Sequence, residues 1–418
     1  MCRPATECLE TRAGAITPVH ARENHVTTRD LLAQLISFDT VSRHSNIELM
    51  HYVSQWLEGN GIASKLIPNH DGSKANLYAT VGPEGRNAPF SGGVMLSGHT
   101  DVVPIDGQNW TKPAFSLTEQ NNRYYGRGSA DMKGFVACAL SAMASAKNLP
   151  LQSPMHLALS YDEEIGCVGV HSLIDHLSHL PVKPCLCIVG EPTEMSVATR
   201  HKGKIGAQAT FTGRAGHSAL APHGLNAIHL ACDFIAHLRE LQVQLAAPFA
   251  GEDATQVPYS TVHAGIISGG TALNIVPDNC SVAFEVRNAA EDDAQAILDG
   301  IITHSTNTVA GHHARIPEAS VTFEIFNTYP GLNTPEDTWA VEFVKSLTGA
   351  NSCTEVAFGT EAGLFSSVLS IPSVICGPGS MAQGHKPDEF ISTDQMDQCE
   401  IMLEKLVTRL CQSSPGTP

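Results

Sequence analysis

The sequence predicts an α/β protein with a central mixed sheet and helices on both faces, into which a smaller unit of ferredoxin-like order is inserted. Three observations carry that expectation. Short apolar runs alternate with helical segments along most of the chain. Several of those runs end abruptly in polar residues, as in Ser97-Gly98-His99-Thr100-Asp101 and Tyr161-Asp162-Glu163-Glu164. Near Val197 the texture changes to strand, helix, strand, strand, helix, strand. Alternation of strands and helices gives a sheet whose site lies at the carboxyl ends of its strands. The second order is the split βαβ pattern.

Taken in order, Thr27-Thr28-Arg29-Asp30 opens a helix that carries Leu31, Leu32, Leu35 and Ile36 on one face. A second helix runs from about Ile47 to Leu57 and stops at Gly59-Asn60-Gly61. Asn76–Val81 alternates as a strand, and Val94-Met95-Leu96 forms another that leads into His99. Gly126–Gly134 is a Gly-rich loop entering a helix with Phe135, Val136, Ala139, Leu140 and Met143 at helical spacing. His156–Tyr161 and Cys185–Val189 are strands, the first ending in Asp162-Glu163-Glu164 and the second in Gly190-Glu191-Pro192-Thr193. The inserted unit should contain strands at Lys204–Thr212, Thr261–Ile267, Cys280–Arg287 and Val321–Phe326. Its helices should span Leu225–Leu241, with Leu225, Ile228, Cys232, Ile235 and Leu238 inward, and Glu291–Thr306. The α/β texture then returns with Ser373–Cys376, followed by Gly377-Pro378-Gly379 and His385. The expected division is residues 27–196 and 328–418 for the first domain, 197–327 for the insertion, and 1–26 as an extension.

At 418 residues the chain has ample core for such a pair. Its net charge of −17 disfavours nucleic acid as a partner, since that needs a basic face. No apolar run reaches the roughly 20 residues of a membrane span. The first residues mix Arg3, Arg12 and Arg22 with Glu7, Glu10 and Glu23, unlike a transit peptide, so a cytoplasmic protein is expected. The 12 cysteines show no zinc-ribbon spacing; Cys138, Cys187, Cys232 and Cys376 sit in apolar runs and read as core thiols in a reducing compartment.

An isolated His-x-Asp is more often a surface histidine beside a turn aspartate. Here the candidates accumulate: His99, Asp131, Glu164, Glu191 and His385, with Asp101 and Glu163 beside them, each following a strand or opening a helix at one sheet edge. Carboxylates converging there would repel by several kcal/mol unless a cation neutralised them. Two imidazoles with three carboxylates suit zinc or cobalt, and five ligands suit two ions sharing one carboxylate. Glu163 and Glu164 are adjacent, so one ligand and one base would explain the pair. Gly126-Arg127-Gly128 matches no phosphate-binding pattern, which disfavours a nucleotide enzyme.

In combination, Ser97–Pro104, Gly128–Gly134, Asp162-Glu163-Glu164 and Gly190–Thr193 resemble the zinc aminoacylase/carboxypeptidase family of metallohydrolases, on its deacetylase/desuccinylase side. Phe358–Phe365 and the Cys376–Phe390 segment extend the resemblance. It implies that Asp131 bridges two metal ions, His99 and Glu191 completing one site and Glu164 and His385 the other. It further implies that Asp101 supports His99, that Glu163 is the general base, and that a cis peptide joins Asp131 to Met132. His217 is implied to act as an oxyanion donor across a homodimer made by the inserted lid/dimerisation unit. Asn274 and Arg287 are implied to hold a substrate carboxylate. The expected reaction is removal of an acyl group from the α-amine of an amino acid, N2-acetylornithine foremost, as in arginine biosynthesis. A succinyl-diaminopimelate deacylase, a dipeptidase and a non-catalytic metal-stabilised binding protein are the alternatives. Glu361 is the expected partner of the ornithine ammonium.

Overall fold

A computed structural model describes residues 26–83, 92–250, 257–412. The expected extension lies almost wholly outside those residues. The large sheet runs in the order Ser64–Pro68, Ala75–Val81, Met155–Ser160, Val94–His99, Leu186–Pro192, Ser373–Gly377, Val197–His201, Leu332–Asn333, with Cys353–Val356 pairing beside Val197–His201. The four strands from Met155–Ser160 to Ser373–Gly377 are mutually parallel, while Ala75–Val81 runs against Met155–Ser160 and Val197–His201 against Ser373–Gly377, so the sheet is mixed.

The central strands are buried throughout because both faces are covered. Leu96, Leu157, Ile188 and Val374 point into one core, built with helices Thr28–Ser37, Ile47–Gly59, Gly134–Lys147, Trp339–Thr348 and Thr393–Leu410. Their neighbours Met95, Ala158, Cys187 and Ile375 point into the other, built with Val170–Ser178 and Ala362–Leu369. Thr27 caps the first helix with a full capping box to Asp30.

The inserted unit is a four-stranded antiparallel sheet in the order Thr261–Gly269, Asn279–Arg287, Lys204–Thr212, Ser320–Tyr329, backed by helices Ala227–Ala246 and Ala294–Ala310. That order, with two helices on one face, is the ferredoxin-like arrangement. Residues 197–201, expected to fall within the insertion, form the strand Val197–His201 of the large sheet. The chain leaves that sheet at Lys202-Gly203, and the last strand of the small sheet runs on to Tyr329.

The helix Ala227–Ala246 also buries a different face from the one expected. Asn226 caps it, and Ala227, Leu230, Ala231, Phe234 and Leu238 face inward. Phe234 decides the rotation by packing tilted or edge-on against Phe211, Phe284 and Phe323. Ile228 and Ile235 become flanking contacts, and Cys232 is exposed rather than a core thiol.

Two buried histidines give the fold an acid limit. His156, 6 % exposed, accepts from Tyr78 Oη (2.7 Å) and Thr80 Oγ1 (2.9 Å) at Nδ1 and donates from Nε2 to Gly92 O. Burial holds both His156 and His201 down to about 4. A neutral imidazole that stays neutral only when folded stabilises the protein above the free value of about 6.5, and that contribution is lost as pH falls toward 4. Each should therefore have cost about 2 kcal/mol by pH 5. Urea melts at pH 7 and pH 5 should show a smaller acid loss for His156→Gln than for the parent; an equal loss would exclude His156 as a source.

Candidate active site

The four parallel strands end on one side, and the ionisable residues gather there. His99 ends the strand Val94–His99, Glu191 lies at the end of Leu186–Pro192, and Glu163 and Glu164 follow Met155–Ser160. Asp131 precedes the helix Gly134–Lys147, and His385 follows Ser373–Gly377. The peptide from Asp131 to Met132 is cis.

Asp131 sits between the two imidazoles. Its Oδ1 is 3.0 Å from His99 Nε2 and its Oδ2 is 3.2 Å from His385 Nε2. Glu191 Oε1 lies 3.8 Å from His99 Nε2, and Glu164 Oε2 lies 3.0 Å from His385 Nε2. His99, Asp131 and Glu191 thus form one triad with ligand atoms all within 4.8 Å of one another, and Asp131, Glu164 and His385 form a second. The carboxylate common to both is Asp131.

The protonation pattern shows what this donor set demands. Burial, with neighbouring carboxylates adding to it, drives Glu163 and Glu191 well above the usual carboxylate range and Glu164 up to about 7. His385 is pushed up to about 10 by its contacts with Asp131 and Glu164. His99, although burial disfavours its charge, is raised by Asp101 and Asp131. Asp131 stays low despite its burial, because both histidines face it. The carboxylates are thus crowded enough to raise one another's proton affinity and that of the two histidines. Divalent ions satisfy the same atoms better, so the residues fit a metal centre.

Around the triads is a supporting shell. Asp101 sits 3.5 Å from His99 Nδ1 and accepts from Ser42 Oγ (2.7 Å), Glu163 N (3.1 Å) and Glu164 N (3.2 Å). His99 Nδ1 is hydrogen-bonded to the backbone O of Asp101 (2.9 Å), while the Asp101 carboxylate holds the turn that follows. Sequence reasoning assigned no role to Glu389, whose 1 %-exposed carboxylate pairs with Arg127 at 2.6 Å and accepts from Gly128 N, Ala130 N and Asp131 N. It fixes the loop that presents Asp131. The Arg127 and Glu389 motifs are visible in the sequence, but their pairing across the fold is not.

A cavity of about 150 Å³ opens onto the triads, lined among others by Glu163, Arg287, Lys204, Tyr329, Phe358 and Met381. Arg287 donates to Tyr329 Oη (3.1 Å) and pairs with Glu285 (3.2 Å). A larger cavity of about 370 Å³ near Tyr78, His156 and His176 has no convergent carboxylates.

Of the residues expected to touch substrate, three do not line this cavity. His217 and Asn274 lie on adjoining exposed segments, Ser218 N donating to Asn274 O (3.0 Å). Glu361 is the clear correction: it is 1 % exposed, lies beside Ser160 and Ser97, and is pushed up to about 7 by burial. Its carboxyl does not line the cavity, although it lies close enough to Glu163 to raise that carboxyl.

A mixed α/β sheet with paired His/carboxylate triads at its strand ends defines a metal-dependent hydrolase. Residues 95–409 match the model of peptidase family M20/M25/M40. An acetylornithine deacetylase of Pasteurella multocida is 33% identical over 380 residues, 90% of this chain and 94% of that protein. One of Photorhabdus laumondii is 31% identical, over 92% of this chain and 97% of the relative. Among solved structures, an M20 metallo-carboxypeptidase from Sulfolobus solfataricus superposes with a TM-score of 0.73 at 18% identity, covering 92% of this chain and 99% of the other. A dinuclear metal-binding M20 peptidase from Bacillus subtilis gives 0.64 at 15% identity, covering 92% and 97%. The chain belongs to the M20/M25/M40 family.

Proposed function

We propose that this enzyme deacetylates N2-acetylornithine to ornithine and acetate, using two divalent ions, zinc or cobalt, as a cytoplasmic homodimer. The observation that carries the reading is the pair of triads sharing Asp131, with Glu163 beside them and outside both. The acetylornithine deacetylases matched over nine-tenths of the chain support the substrate. No described helix is long and apolar enough to cross a membrane, and the net charge is −17.

Ions held by His99, Asp131 and Glu191 and by Asp131, Glu164 and His385 would acidify water and polarise the amide carbonyl. Glu163 takes the proton of the attacking water as the new C–O bond forms. It then delivers that proton to the α-nitrogen as the C–N bond breaks, so the amine leaves neutral. Arg287, with Lys204 lining the same wall, offers positive charge to the substrate α-carboxylate. Turnover of N2-acetylornithine, N-succinyl-diaminopimelate and a dipeptide by metal-loaded enzyme tests the assignment. Preference for either of the latter two would overturn it.

The ferredoxin-like unit serves as lid and dimerisation domain in this reading. Its edge strand Thr261–Gly269 exposes Ile266 and Ile267, and Leu273 and Ile275 stand exposed nearby. His217 Nδ1 accepts from Ala219 N (3.1 Å), which puts the ring proton on Nε2, the tautomer an oxyanion donor needs. His217 and Asn274 are exposed together and do not line their own chain's cavity, which supports a role for them in the partner's site. His217→Ala should lose about 10²–10³ in turnover. Mixing it with Glu163→Ala under subunit exchange should restore roughly a quarter of parental activity, since half the dimers are mixed and each has one complete site. No recovery after verified exchange would overturn the arrangement.

A further inference from the structure

The turn that carries Glu163 is held from both domains. Its backbone is unusual: Asp162 and Cys167 have φ of 55° and 57°, and Gly166 has 107°. Such a segment keeps one conformation only when its surroundings hold it. On the catalytic side, Asp101 accepts the N–H groups of Glu163 and Glu164, and Lys74 pairs with Asp162. The opposite side is held by the inserted unit. Asn327, in its last strand Ser320–Tyr329, donates from Nδ2 to Ile165 O (2.9 Å) and Gly166 O (3.0 Å).

Asn327 is only 8 % exposed and sits where that strand slips register between Ile325 and Asn327, an irregularity that re-aims its side chain. The fit is close enough to require glycine, since a Cβ on Gly166 would lie 1.7 Å from Asn327 Nδ2. One residue further on, Cys167 Sγ approaches Glu163 Oε1 at 3.4 Å. The clamp therefore acts on the backbone that determines where the Glu163 carboxyl points.

We propose that Asn327 is a positioning residue for Glu163, tying the turn of the general base to the last strand of the inserted unit. This rests on the reading of Glu163 as the base. Asn327 belongs to neither ligand triad and does not itself line the cavity; it meets the wall only through the backbone of Gly166, so its contribution should appear mainly in turnover and not in metal or substrate binding.

The test uses the metal-loaded full-length dimer. Asn327→Asp keeps the shape but turns two donated hydrogen bonds into a carboxylate facing two carbonyls. Since a displacement of about 1 Å can cost about 10²-fold in rate, kcat should fall on that order while KM stays within about twofold. Elemental analysis should still find the parental metal content. Asn327→Ser, smaller and still polar, should fall in the same direction and carries the test if the Asp variant does not fold. The decisive comparison is on the Glu163→Ala background, where adding Asn327→Ser should lower the residual rate no further, because the group it positions is gone. Parental kcat in both Asn327 variants, loss of metal, or a full additional loss on the Glu163→Ala background would each overturn the proposal. If instead Glu163→Ala turned over normally, the assignment of the base itself would fail.

Discussion

Glu163→Gln should keep its metals and its fold and lose turnover by about 10²–10⁴-fold, the range for removing a positioned general base. The expectation follows from how little else this side chain does. Among the described residues its side chain accepts one hydrogen bond, from the Cys167 thiol at 3.4 Å, while its backbone N–H is held independently by Asp101. The amide is isosteric with the acid, so the turn should stay in place. Burial raises the Glu163 carboxyl well above the usual range, against the pull of His99. Elemental analysis and single-turnover rates on the same preparation separate the roles. The matching Glu164→Gln variant should lose the ion shared with His385, because Glu164 Oε2 lies 3.0 Å from His385 Nε2. Metal loss in Glu163→Gln with retention in Glu164→Gln would show that the two adjacent glutamates have exchanged roles.

Much of this architecture was legible because polar residues interrupt apolar strands at places where a core would not tolerate them. His99 and Glu191 stand out for that reason, and the ferredoxin-like order emerged from the sequence of elements alone. What was not legible depends on partners brought together by the fold. The buried pair of Arg127 and Glu389 spans 262 residues of chain, and nothing local to either residue announces the other. Glu361 looked available to a substrate because spacing does not report depth; the structure encloses it beside Ser97 and Ser160. The face of the helix Ala227–Ala246 was misjudged because Ile228 and Ile235 are as apolar as Leu230 and Phe234. Three aromatic neighbours from separate strands, not the helix's own periodicity, chose between the two faces. The helix Thr393–Leu410 is a different case. Its inward residues Met396, Cys399, Leu403, Leu406 and Leu410 recur at three- and four-residue spacing, a signal fully present in the sequence.

The residue on which both proposed metal sites depend is Asp131, and its loss should have the largest consequence. Its two oxygens face in different directions, Oδ1 to His99 at 3.0 Å and Oδ2 to His385 at 3.2 Å, and it is common to both ligand triads. Removing Glu191 or Glu164 takes a ligand from one triad alone, whereas Asp131→Ala leaves each with one histidine and one glutamate. Elemental analysis after dialysis should therefore find one ion per chain in Glu191→Ala and Glu164→Ala, less than one in Asp131→Ala, and no measurable turnover in Asp131→Ala. Stability supplies a readout that does not pass through catalysis. Each ion present at a hundredfold over its Kd stabilises the folded chain by about 2.7 kcal/mol, so added zinc should raise the melting temperature of the parent. The same addition should leave Asp131→Ala nearly unmoved and shift the single-triad variants by an intermediate amount. The loop itself should survive the substitution, since Glu389 holds the N–H groups of Gly128, Ala130 and Asp131 without using the Asp131 side chain. Two tightly held ions in Asp131→Ala, or a zinc-dependent melting shift equal to that of the parent, would mean that the two triads do not share a ligand.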